Sequence, residues 1–118
     1  MAKHIDTGFE GEELAAGYLI KKGFDILHRN WRHKRKEVDI IAVSGGMLHF
    51  IEVKTRKSYK FGFPEERVDK KKIRLLIDAS AEFLHLYPQW QRIQFDILSI
   101  SILPDGTAEY FMIEDVYL

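Results

Sequence analysis

The apolar positions of the chain change their spacing several times, and each change marks an element. Between Thr7 and residue 22, Phe9, Ala16, Leu19 and Ile20 recur at helical spacing. Thr7-x-x-Glu10 resembles a capping box at the start of this helix, and Gly23 suits the left-handed residue that ends one. Phe24-Asp25-Ile26-Leu27 reads as a short strand, after which the basic stretch His28 to Lys36 interrupts the pattern. Two strand-like runs follow, Glu37 to Val43 and Met47 to Lys54. The Ser44-Gly45-Gly46 between them marks a hairpin, because primed turns need positive φ. Residues 55–63 read as a basic and aromatic loop. Pro64-Glu65-Glu66 predicts a helix start, with acids on the positive end of the dipole. Val68, Leu75, Leu76, Ala79, Phe83 and Leu86 carry the amphipathic helix on to Pro88. Arg92 to Ile102 alternates as a strand, Pro104-Asp105-Gly106 is a turn, and Ala108 to Tyr117 is a last strand. The order α-β-β-β-α-β-β predicts an α/β fold in which helices cover a mixed five-stranded sheet.

Composition narrows the class. A chain of 118 residues is the size of one domain, here residues 1–118, and 46% apolar residues suffice for a core. With no cysteine, the sequence excludes disulfides, thiol catalysis and cysteine-held zinc or iron–sulfur centres. No apolar run reaches the ~20 residues of a membrane helix, and the opening residues lack the apolar stretch of a signal peptide. A cytoplasmic protein without a membrane partner is therefore expected. The formal net charge is zero, yet residues 28–74 hold 14 Lys and Arg against 6 Asp and Glu, and the two acidic flanks cancel this excess. Such asymmetry points either to a polyanionic partner or to a solvated basic face.

Folding the Gly45-Gly46 hairpin pairs residues whose numbers sum to 91. Asp39 then lies opposite Glu52, with Cβ atoms ~5 Å apart, and Glu37 lies opposite Lys54. Two carboxylates at that distance repel by ~3 kcal/mol at an effective dielectric of ~20, although their neighbours (Val38, Ile40, Ile41, Phe50, Ile51, Val53) are apolar. A divalent cation held by a few carboxylate oxygens and several waters resolves the conflict. Lys54 is then placed to orient an attacking water or to neutralise a developing oxyanion. The competing reading is a hairpin edge from which the acids splay into solvent. The joint pattern favours the cation.

Asp39 followed by Glu52-Val53-Lys54 is similar to the PD-(D/E)xK nuclease signature. With Gly11-Glu12, Arg29-Asn30-Trp31-Arg32, Glu37 to Ala42, Phe50 to Arg56, Gly62-x-Pro64-Glu65-Glu66-x-Val68 and Phe95-Asp96-Ile97, the chain resembles the bacterial YraN family over nearly its whole length. Members are described as endonuclease-like and similar to archaeal Holliday-junction resolvases. The resemblance implies a restriction-endonuclease-like core and Mg2+ or Mn2+ bound by Glu12, Asp39 and Glu52, with Lys54 completing the catalytic set. Val38 stands where the superfamily has proline, and Lys36 where YraN sequences have glycine. The implied partner is structured or branched DNA, with homodimerisation a candidate assembly. Arg29, Arg32, Arg56, Lys57, Lys60, Lys70 and Lys71 are the candidate DNA contacts, supported by Tyr59, Phe61 and Phe63 as stacking aromatics. The alternative is a non-catalytic nucleic-acid-binding protein that keeps the nuclease fold. The five histidines show no metal-ligand spacing and are treated as ordinary.

Overall fold

A computed structural model describes residues 7–57 and 69–116, the first three of them by backbone alone. The elements are α1 (Thr7–Lys21), β1 (Asp25–His33), β2 (Lys36–Ser44), β3 (Met47–Lys57), α2 (Lys70–Leu86), β4 (Ile93–Ile102) and β5 (Ala108–Ile113). They follow the expected order. The five strands lie in the sheet in chain order. β3 and β4, joined through α2, run parallel, and the other neighbours are antiparallel.

The helices cover opposite faces because the strands alternate. Ile40, Ala42 and Ile51 pack with Ala15 and Leu19 of α1, whereas Ile41, Leu48 and Phe50 pack with Leu76, Ala79 and Phe83 of α2. Phe83 meets Phe50 and Trp31 edge-on, with ring centroids 5.7 and 5.3 Å apart. Gly23, at φ 95°, ends α1 as expected: its N–H donates to Ile20 O and that of Phe24 to Leu19 O, a Schellman arrangement. Gly11 lets α1 lie against β3, since a Cβ there would stand 1.9 Å from Thr55 Oγ1. The buried His49 Nδ1 bonds Asp96 Oδ2 at 2.6 Å. Asp96 also accepts from Gln94 Nε2 and Asp115 N–H, tying residues 114–116 back to β4.

Three boundaries differ from the expectation. β1 is not confined to residues 24–27 but runs through the basic stretch to His33. It is an edge strand, where exposed charged side chains are tolerated and discourage strand addition. α2 begins at Lys70, where the extended Asp69 caps it by accepting from the N–H groups of Lys71 and Lys72. The expected start at Pro64 lies outside the described residues. β5 stops at Ile113, four residues short of the expected end.

Candidate active-site cleft

The hairpin between β2 and β3 turns through Gly45 and Gly46, at φ 60° and 78°, and sets the register the sequence implied, from Ser44–Met47 to Ile40–Ile51. The ladder then stops. Asp39–Glu52 and Glu37–Lys54 are not ladder pairs: β2 continues alongside β1 to Lys36, while β3 continues alongside β4 to Lys57. The two central strands diverge like the arms of a fork. Asp39 Oδ2 accepts the Val53 N–H at 2.8 Å across the opening, so a side chain satisfies a backbone donor that lies beyond the β2–β3 ladder.

Above this fork lies a cleft of about 690 Å3, on the α2 side of the sheet. Asp39 and Glu52 both line it; one wall is the β1–β2 turn, Lys34 to Lys36, and the other is α2, through Lys72, Leu75 and Leu76. Burial, opposed by the Val53 hydrogen bond and reinforced by the charges of Glu52, Glu12 and Glu37, pushes the Asp39 carboxyl up to about 6. Lys72 Nζ lies 3.5 Å from Glu52 Oε2. Lys54 is half-buried on β3, next to Ser99 in the register with β4. Ser99 Oγ is buried and unpaired among the described residues.

The structure therefore brings Asp39 and Glu52 together in the cleft, whereas neither Glu12, on α1, nor Lys54 lines it. Glu12 is near enough to act on the Asp39 proton, but it accepts from Asn30 Nδ2 at 2.7 Å and faces Arg29 at 4.0 Å. Among the described residues, no group of three or more Asp, Glu, His or Cys side chains is placed to hold a metal ion, the expected Glu12, Asp39 and Glu52 set included. Two carboxylates lining one cleft nonetheless fit Mg2+ or Mn2+, hard cations that are bound through one or two carboxylates and keep several waters.

The candidate DNA contacts separate in space. Arg29 is taken up by Glu13, at 2.7 Å, on the α1 side. Arg32 is exposed on the edge strand opposite Glu37. Arg56 and Lys57 are exposed where β3 ends, and Lys70 and Lys71 where α2 begins. Lys60, Tyr59, Phe61 and Phe63 lie outside the described residues. Sequence reasoning missed Lys34, Arg35, Lys36 and Lys72 as cleft residues. For Lys72 the signal was present: it stands four positions before the buried Leu76, on one face of α2.

A mixed five-stranded sheet between helices, with two acids at a fork between neighbouring strands, is the α/β architecture the sequence predicts. Within that class, the family model of the uncharacterised protein family UPF0102 matches residues 11–100, and the chain belongs to this family. A UPF0102 protein of Phocaeicola vulgatus is 47% identical over 116 residues, covering 98% of this chain and 93% of the relative. One of Rhodococcus opacus is 42% identical, covering 86% and 87%. One of Porphyromonas gingivalis is 36% identical, covering 92% and 81%. Among the described residues no helix is long and apolar enough to cross a membrane.

Proposed function

We propose that this protein is a Mg2+- or Mn2+-dependent endonuclease that hydrolyses phosphodiester bonds in structured or branched DNA. The observation that carries the reading is the convergence of Asp39 and Glu52 on one cleft where the central strands part, with the Asp39 proton held up to about 6 by burial and neighbouring acids. Asp39 and Glu52 would hold the cation, with Glu12 supplying negative charge behind Asp39. A divalent ion bound there lowers the pKa of water and offsets charge on the phosphate oxygens. The Asp39 carboxylate stays fixed through Val53 N–H, so its orientation costs no reorganisation during reaction. Lys54, two residues beyond Glu52 on the same strand face, offers an ammonium to the charge that develops on the phosphate as water attacks phosphorus. The branched substrate rests on the motif resemblance to the YraN family, whose members are described as similar to archaeal Holliday-junction resolvases.

A second reading is favoured by one contact. Lys72 already neutralises Glu52 from within the chain, which suits a binding protein that has no need of a cation. Cleavage assays on junction, flap and duplex DNA with Mg2+ or Mn2+ separate the two. The endonuclease reading expects activity that Asp39→Asn and Glu52→Gln abolish, that Lys54→Ala lowers ~10²–10³-fold, and that Glu12→Gln lowers without loss of DNA affinity. A wild-type chain that binds DNA but cleaves none of the three overturns it in favour of the binding protein.

A further inference from the structure

His33 and Lys36 pair as the last rung between β1 and β2, so only Lys34 and Arg35 make the turn between them. Both have positive φ, 49° and 67°, as a type I′ turn requires. Glycine or asparagine normally takes these positions, because a Cβ is strained there. The other tight hairpin of this chain follows that rule with Gly45-Gly46. Two long cationic side chains therefore occupy the turn at which this fold has most reason to place glycine.

Their setting suggests what offsets the strain. Lys34 and Arg35 are exposed, no ion pair is formed by either among the described residues, and both line the acidic cleft together with Lys36. Lys72 stands on the opposite wall. The cleft thus has acids at its floor and cations on both rims. That polarity suits a polyanion whose phosphates bridge the rims while one of them sits over Asp39 and Glu52.

We infer that the Lys34-Arg35 turn is a phosphate-gripping jaw that clamps the phosphodiester backbone of DNA across the cleft from Lys72. This rests on the nucleic-acid reading above and adds the element that holds the strand. Strained backbone retained at such a place is characteristic of ligand clamps. The hairpin is short, so each cation reaches the cleft from a rigid stem, not from a loop that must be ordered on binding.

Two double variants test it, with a 20-base-pair DNA duplex and a four-way DNA junction as the probes, in EDTA, by fluorescence anisotropy across a salt series. Lys34→Asn with Arg35→Gly installs the preferred turn residues, and Lys34→Gln with Arg35→Gln removes the charge while keeping the strain. The jaw predicts that both variants bind at least tenfold more weakly at low salt. The slope of log affinity on log salt should be shallower by about 1.8, the equivalent of two phosphates. It also predicts that the Asn-Gly variant melts several degrees above wild type, so that binding is lost from a more stable fold. Wild type that binds while both variants bind within twofold of it, with unchanged slope, overturns the jaw alone. Wild type that binds neither the duplex nor a four-way DNA junction at low salt overturns the nucleic-acid reading and the jaw with it.

Discussion

Asp39 is the residue at which folding and function pull in opposite directions. Its carboxyl is held at about 6 in the folded protein against an ordinary 3.8, chiefly by burial. The folded chain therefore binds a proton there more tightly than the unfolded chain between those values. The associated stability is complete below pH ~4 and is lost as pH rises through 6, which leaves an ionised Asp39 costing on the order of 3 kcal/mol at neutral pH. Asn at this position can still accept the Val53 N–H without the charge. Asp39→Asn is expected to be about 1–3 kcal/mol more stable than wild type at pH 7.5 and no more stable at pH 4, as read by urea unfolding. A variant less stable at pH 7.5 would show that the carboxylate is structural. Lys34 and Arg35 show the same conflict in the backbone, where side chains at positive φ cost roughly 1–2 kcal/mol each.

The elements show what sequence pattern can and cannot specify. Gly45-Gly46 fixed both the turn and the register, and Gly23 fixed the end of α1, because each needs positive φ that few other residues supply. The divergence of β2 and β3 was not legible: nothing in Val38 to Ala42 or Phe50 to Lys54 marks the rung at which pairing ends. It depends on a tertiary event, the Asp39 carboxylate taking the Val53 N–H. The length of β1 was hidden because its basic residues imitate a loop, and with it the Lys34-Arg35 turn that only a long β1 reveals. The acids themselves were legible, as hairpin symmetry placed Asp39 beside Glu52 although the ladder stops one pair earlier. Glu12 depends on a contact between elements, the approach of Gly11 to Thr55. Gly11→Ala is expected to cost about 1–3 kcal/mol by pushing α1 off β3. Thr55→Ala, which removes two of the three clashing atoms, should restore part of the loss in a thermal melt. Full stability in Gly11→Ala alone would contradict the close packing of α1 on β3.

At the scale of the whole molecule, zero net charge conceals a division of labour. The fold gathers part of the basic middle of the chain, Lys34 to Lys36 and Lys72, onto the rims of a cleft whose floor is acidic. A cation at that floor would relieve the strain on Asp39 and compete with Lys72 for Glu52, and the basic rims would then meet the phosphates it faces. The most direct test is a calorimetric titration of the metal-free protein with Mn2+ at pH 7.5, where Asp39 is ionised, repeated on Asp39→Asn and Glu52→Gln. The predicted result is a site in wild type that either substitution weakens at least tenfold, and that weakens in wild type as pH falls below about 6 because the proton and the cation compete for one carboxylate. Wild type that binds no Mn2+ at millimolar concentration, or variants that bind it as wild type does, would contradict the assignment of Asp39 and Glu52 as the cation site.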